Sequence, residues 1–223
     1  GAGKGITDVL ADQVDIAMVS RELKPQEKEK GALAYAVAKD AVVATINANN
    51  PVYRELLMTG LSQKQATAIW EGKTKMNVYT RSDACGAAET WAAFLGKKQE
   101  DLKGTGVFGD PGVAETLQKD VNGIGFNNIG YAYNDKTHKP TKGIAIVPID
   151  VNGNGKLDKE EKFYDTLDEL MDAIAKGKYP APPARNLYLV TAGKPKNPVV
   201  VEFLKYVRTK GQRLNAPAGF VHI

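Results

Sequence analysis

Short β-like runs alternate with amphipathic segments along this 223-residue chain, and this alternation constrains the fold more than any other feature. Apolar residues recur at three- and four-residue spacing between the runs, which is typical of helices. Alternation of this kind favours an α/β fold with a largely parallel sheet. Strands are predicted at residues 14–19, 41–46, 77–80, 104–108, 123–133, 144–149 and 187–191.

The helices expected between these strands have recognisable starts. Ser62 is a predicted N-cap, because a serine hydroxyl can accept a hydrogen bond from the first turn of a helix. Hydrophobic residues make up 43% of the chain, enough for a sizeable core in one large or two small domains. Helices are predicted at residues 1–11, from 25, at 62–71, at 86–95, from about 113, and at 198–209.

The charges of the chain are mixed rather than clustered. Lys and Arg number 30 against 26 Asp and Glu, which gives a net charge of +4 without a basic stripe. We therefore expect no nucleic-acid partner. Cys85 is the single cysteine, so an internal disulfide framework is excluded.

The stretch from Met76 to Trp91 predicts an anion-binding turn. A short strand runs into a turn of small and charged residues, and a helix follows from Gly86. The first N–H groups of a helix have no acceptor within the helix, and its dipole is positive at that end. Arg81 lies just before this point, so a guanidinium and backbone donors can converge on an anion.

A second candidate for anion binding lies near the start of the chain. Residues 1–6 form a glycine-rich helix start, in which the glycines let the backbone approach a ligand closely and the first-turn N–H groups are free to donate. The predicted strand that follows ends at Ser20 and Arg21, where ligands bind in open α/β sheets. The alternative for Arg21 is a salt bridge with Glu22 or another acid.

These segments together resemble phosphate-binding proteins of ABC transporters. The resemblance follows the chain in order through residues 1–6, 15–21, 69–73, 79–86, 123–126, 185–188 and 219–221. It implies the two-lobed clamshell of a type II periplasmic binding protein. Lobe 1 is then expected at residues 1–45 and 188–223, and lobe 2 at residues 46–187.

The resemblance also implies a ligand and the residues that bind it. Arg81 matches the family arginine that pairs with the oxyanion, and Gly86 matches a glycine whose N–H donates to it. Cys85 and Ala87 stand where the family usually has a serine and a threonine, so two hydroxyl donors are absent. The predicted ligand-binding set is Ala2, Gly3, Ser20, Arg21, Arg81, Cys85, Gly86 and Ala87.

The implied ligand is a small oxyanion, phosphate foremost, and the implied partner is an ABC permease. A periplasmic or extracellular location follows from that role. The family normally has a strand, a ligand-contacting loop and a helix before the region that matches Gly1. We therefore expect an N-terminally truncated form of the fold, in which a separate segment or chain completes lobe 1 and an absent N-terminus could anchor the protein to a membrane.

Residues 150–161 match the twelve-residue EF-hand calcium loop. Side-chain oxygens occupy positions one, three, five, nine and twelve, a carbonyl serves position seven, and Gly155 stands at the turn. A strand is predicted before the loop and a helix after it, so we expect a structural Ca²⁺ site on a strand-to-helix connection. The predicted ligands are Asp150, Asn152, Asn154, Lys156, Asp158 and Glu161.

The sequence allows two alternatives to solute transport. A cysteine at a helix N-terminus can have a lowered pKa, so Cys85 could serve a nucleophilic enzyme. His138 and His222 are the only histidines, and neither gives Cys85 an evident base. The other alternative is a sensor or adhesion module on the same fold.

Overall fold

A computed structural model describes residues 2–223. Gly1 of the predicted glycine-rich helix start lies outside the described residues. The strands are β1 (Ala17–Val19), β2 (Ala32–Asn47), β3 (Asn77–Arg81), β4 (Thr105–Val107), β5 (Gly123–Asn128), β6 (Ile144–Val147) and β7 (Ala184–Ala192). The helices are α1 (Ala2–Leu10), α2 (Pro25–Glu29), α3 (Tyr53–Thr59), α4 (Gln63–Trp70), α5 (Gly86–Phe94), α6 (Gly109–Lys119), α7 (Ile129–Ala132), α8 (Leu167–Ala175) and α9 (Pro198–Val207).

The chain divides into two compact units. Unit 1 comprises the residues up to Asp40 together with Arg185–Ile223, and unit 2 comprises Ala41–Ala184. The chain passes from unit 1 to unit 2 within β2 and returns within β7. None of the helices in residues 2–223 is both long and apolar enough to cross a bilayer.

Unit 1 has β7 between β1 and the first part of β2. β1 and β7 are antiparallel, with Met18 opposite Leu189. α1 contributes Ile6 and Val9 to a core that the strands complete. A Cβ atom at Gly5 would lie 3.3 Å from the Ala17 Cβ, so glycine there allows α1 to approach β1 closely.

Unit 2 is built on a mixed sheet in the order β6, β2, β5, β3, β4. β2 is antiparallel to β5 and to β6, whereas β3 is parallel to β5 and to β4. The expectation of a largely parallel sheet was wrong, because apolar periodicity identifies strands but not the direction in which they pair. Trp70 and Trp91, whose ring centroids are 5.1 Å apart, pack with Phe126 beneath the helices.

Several predicted elements have different bounds in the structure. β2 begins nine residues earlier than residue 41, and β1 is shorter than predicted. α6 begins at Gly109 rather than near Val113, because Pro111 is tolerated in the first turn of a helix. Residues 129–132 form α7 instead of extending β5, and α3 was not predicted.

Candidate functional site

The junction between β3 and α5 forms as predicted. β3 ends at Arg81, and α5 begins at Gly86 with Cys85 as its N-cap residue. Arg81 is the last residue of a strand with parallel neighbours on both sides. Its side chain is only 7% exposed, so the guanidinium lies inside unit 2 rather than in solvent.

Two carboxylates hold this guanidinium. Asp83 accepts from Arg81 Nε at 2.8 Å and from Nη2 at 2.6 Å, which is the bidentate arrangement. Asp110 Oδ2 accepts from Arg81 Nη1 at 2.7 Å. The N–H of Gly109 also donates to Asp83 Oδ1 at 3.2 Å. Arg81 is therefore fixed in orientation by partners on the turn after β3 and on α6.

Asp110 links this ion pair to the sheet. It is buried in the first turn of α6, where the helix dipole favours a negative charge. Its carboxylate accepts from the Asn128 N–H at 2.8 Å and from Asn128 Nδ2 at 3.0 Å. Asn127 Nδ2 donates to the Asp110 carbonyl at 2.8 Å, and Thr45 Oγ1 donates to Asn127 Oδ1 at 2.8 Å. The network runs from β2 through β5 and α6 to β3.

The charges of this network do not cancel. One guanidinium stands against two carboxylates, so the formal charge of Arg81, Asp83 and Asp110 is −1 when all three are ionised. The hydrogen bonds from Arg81 lower the pKa of Asp83 despite its partial burial. Burial by itself would lower the pKa of Arg81, but the bonds to Asp83 and the charge of Asp110 raise it.

The start of α5 supplies backbone donors beside this cluster. Gly86 and Ala87 occupy the first helical turn, where N–H groups have no acceptor within the helix. The Cys85 N–H donates weakly to Gln99 Oε1 at 3.4 Å. Burial raises the pKa of the Cys85 thiol, and the nearby Arg81 offsets this only in part. Cys85 therefore does not have the lowered pKa that an activated thiol would show.

The remaining predicted ligand residues belong to unit 1. Ala2 and Gly3 lie in the first turn of α1, so the predicted glycine-rich turn is helical from Ala2 onward. Ser20 and Arg21 follow β1 directly.

Arg21 forms the salt bridge that the sequence offered as the alternative to ligand binding. Its Nη1 and Nη2 atoms each donate to a Glu27 carboxylate oxygen at 2.9 Å, and this pairing lowers the pKa of Glu27. The ligand-binding role of the four unit 1 residues stays a prediction.

Sequence reasoning did not assign Asp83 and Asp110 to the site. Asp83 lies two residues after Arg81, which is a usable signal, because an acid so close can reach back to a strand-end guanidinium. Asp110 is 29 residues from Arg81, and only the pairing of β3 with β4 brings α6 to it. No local pattern in the sequence indicates that contact.

The predicted calcium ligands lie on the connection between β6 and α8. Asp150 and Glu161 are buried, whereas Asn152, Asn154 and Lys156 are exposed. The predicted helix after the loop is α8, which begins at Leu167, and residues 159–161 form a short 3-10 turn. Within residues 2–223, no three His, Cys, Asp or Glu side chains converge as a metal-binding group. The Ca²⁺ assignment stays a prediction.

The chain forms two α/β units that β2 and β7 connect, and Arg81 and the first N–H groups of α5 follow one another at the end of β3. Residues 1–210 match the family model described as the PBP superfamily domain. The chain belongs to this superfamily.

Known proteins resemble this chain in sequence and in structure. The Staphylococcus epidermidis protein called phosphate-binding protein PstS is 23% identical over 236 residues, which cover 99% of this chain and 67% of that protein. An ABC-type phosphate transport receptor from Vibrio cholerae superposes with a TM-score of 0.74 at 20% identity, covering 100% of this chain and 86% of that one. PstS from Borrelia burgdorferi superposes with a TM-score of 0.61 at 22% identity, covering 100% and 85%. The expected α/β fold of periplasmic binding proteins is confirmed.

Proposed function

We propose that this protein binds phosphate outside the cytoplasmic membrane and delivers it to an ABC importer. The observation that carries the proposal is the buried Arg81, held by Asp83 and Asp110 at the start of α5. Similar proteins are named for phosphate binding and phosphate transport, which supports the same ligand class here. The permease partner and the extracytoplasmic location rest on those similarities.

Arg81 retains hydrogen-bonding capacity for an oxyanion. A guanidinium has five N–H donors, and the contacts to Asp83 and Asp110 use three of them. The other two can bind a ligand oxygen together with the first-turn N–H groups of Gly86 and Ala87. Backbone donors thereby serve where Cys85 and Ala87 replace the hydroxyl residues of the family.

The excess carboxylate favours an oxyanion that still carries a proton. Phosphate monoanion and dianion both have an O–H at neutral pH, and this group can donate to Asp83 or Asp110. Sulfate has no proton to donate and would meet the two carboxylates with repulsion alone. The same cluster that orients Arg81 therefore selects phosphate over sulfate.

Cys85 has no catalytic role in this proposal. Its thiol is partly buried with a raised pKa, and no described residue makes a base-to-sulfur contact like that of a cysteine nucleophile. Ligand capture without chemical change is the activity that the site supports best. No contact within residues 2–223 favours the sensor or adhesion alternative over solute capture.

Calorimetric titration of the chain with phosphate, sulfate, molybdate and tungstate tests the proposal. We expect phosphate to bind most tightly and Arg81→Lys to weaken it strongly, because an ammonium cannot reproduce the bidentate contact to Asp83. Arg54→Lys is the matched control, since Arg54 is an exposed arginine of the same unit. No heat with any of the four anions, or equal affinities for both variants, would contradict the proposal.

A further inference from the structure

The loop at residues 150–161 holds two buried carboxyl groups that are not paired with any basic side chain of residues 2–223. Four Asp or Glu residues among those described are buried, and two of them, Asp40 and Asp110, pair with an arginine. The other two are Asp150, which is 2% exposed, and Glu161, which is 7% exposed. No lysine or arginine of residues 2–223 forms an ion pair with either.

A buried carboxylate without a cation is costly, and a charge of this kind is normally paired or bound to a metal. Backbone N–H groups at Gly153 and Gly155 donate to Asp150 at 2.8 Å, and the Val151 N–H donates to Glu161 at 2.9 Å. These donors are neutral, so they orient the carboxylates without removing the net charge. The backbone of the loop therefore turns both carboxyl groups toward its interior.

The other oxygen atoms of the loop are placed in the order that calcium requires. Asn152 and Asn154 stand at positions three and five, Asp158 at nine, and the Lys156 carbonyl at seven. Both amides donate to Asp158 Oδ2, at 3.0 and 2.8 Å, so the three side chains already meet. The Asn154 N–H donates to Asn152 Oδ1 and the Lys156 N–H donates to Asn154 Oδ1, both at 2.9 Å, so the backbone fixes the amide oxygens as well.

We propose that this loop binds one Ca²⁺ through Asp150, Asn152, Asn154, the Lys156 carbonyl, Asp158 and Glu161. An all-oxygen set with a carboxylate closing position twelve suits Ca²⁺, which accepts six to eight ligands in flexible geometry. Mg²⁺ demands near-ideal octahedral geometry and gives up its water reluctantly, so the same loop disfavours it.

The bound ion would fasten the loop to the turn between α3 and α4. The Asp150 N–H donates to the Leu61 carbonyl at 3.3 Å, and the Leu157 N–H donates to the Met58 carbonyl at 2.8 Å. A Cβ atom at Gly60, which has φ +68°, would lie 2.8 Å from the Asp150 Cβ. Asp150 and Asn152 also line a cavity of about 610 Å³.

Titration of the chelator-treated chain with CaCl₂ in a calorimeter tests the proposal. We expect one Ca²⁺ per chain, weaker binding of Mg²⁺, and a thermal midpoint that rises with Ca²⁺, because a ligand that binds only the folded state stabilises it. Glu161→Gln should abolish the calcium-dependent rise. Glu160→Gln is the matched control, because it removes the same charge from an exposed, non-ligating neighbour.

Asp158→Asn is a second test, to be used if Glu161→Gln does not fold. It should weaken Ca²⁺ binding at least tenfold and leave the circular dichroism spectrum unchanged. Absence of Ca²⁺ binding to the unaltered chain at millimolar concentration would overturn the proposal. Equal binding of Mg²⁺, or equal losses in Glu160→Gln and Glu161→Gln, would overturn it as well.

Discussion

The guanidinium of Arg81 is not an isolated positive charge, because neighbouring carboxylates hold it in a fixed orientation. Asp83 and Asp110 occupy three of its donors and leave the cluster with a net negative formal charge. We therefore expect oxyanion binding at the proposed site to depend on the direction of the remaining donors and on a proton carried by the ligand. In the proposed function, the sign of this local charge determines specificity, and the sequence motif alone does not reveal it.

Asp83→Asn should reduce selectivity for phosphate over sulfate. The change brings the formal charge of the cluster from −1 to zero, and it replaces a charged acceptor for the ligand proton by a neutral amide. We expect the ratio of phosphate to sulfate affinity to fall about tenfold, which corresponds to about 1.4 kcal/mol. Competition calorimetry measures the ratio. Asp135→Asn, at an exposed aspartate of the same unit, should leave it unchanged, and a rise in the ratio for Asp83→Asn would contradict the argument.

The pKa of Asp83 also predicts a pH dependence of stability. Its pKa in the folded state is below the ordinary value of about 3.9, so its ionised form stabilises the fold. That contribution is fully present above pH 3.9 and is lost as the pH falls through the lower folded value. Urea unfolding should give a constant difference between the unaltered chain and Asp83→Asn from pH 7 to pH 5, and a smaller one below about pH 3.9. A difference that shrinks between pH 7 and pH 5 would contradict it.

The capping residues at the start of a helix fix its local geometry, and α4 of unit 2 is an example. Ser62 and Gln65 form a reciprocal capping box at α4: Ser62 Oγ accepts from the Gln65 N–H at 3.3 Å, and Gln65 Oε1 accepts from the Ser62 N–H at 2.9 Å. α4 in turn places Trp70 against Trp91 of α5. The cap therefore supports the helix that packs behind the candidate site.

Ser62→Ala should destabilise the protein by about 1 kcal/mol, because it removes the acceptor for a first-turn N–H. Chemical denaturation followed by tryptophan fluorescence measures the change, since both tryptophans are buried beside this helix. Ser62→Thr is the control, because its hydroxyl can restore the cap. Equal losses for alanine and threonine would mean that the cap does not carry the effect.

The elements that could be predicted are those with local signals. The Ser62 cap and the β3–α5 junction depend on neighbouring residues, and the structure confirms both. The direction of the strands and the contact of Arg81 with Asp110 depend on pairings distant in sequence, and no pattern in the chain specifies them. The start of α6 was misplaced because a proline is read as a helix breaker, although the first turn accepts it.

Both proposed sites lie in unit 2. The Arg81 cluster and the loop at residues 150–161 lie within Ala41–Ala184. Among residues 2–223, no hydrogen bond joins the loop to Arg81, Asp83 or Asp110. The two sites should therefore act independently.

Phosphate and Ca²⁺ should raise the thermal midpoint additively, because sites that share no partners contribute independently to stability. Differential scanning calorimetry with each ligand and with both checks this. Phosphate affinity should be the same with and without a calcium chelator. A chelator that abolishes phosphate binding would show that the two sites are coupled and would contradict independence.

Amide chemical shifts during a phosphate titration test the central claim most directly. In ¹H–¹⁵N spectra of the labelled chain, we predict the largest changes at the N–H groups of Gly86 and Ala87 and at Arg81 Nε, and small changes at the exposed control residue Arg54. Phosphate binding that leaves the signals of Arg81, Gly86 and Ala87 unmoved, with the changes elsewhere, would contradict the assignment of the site to the start of α5.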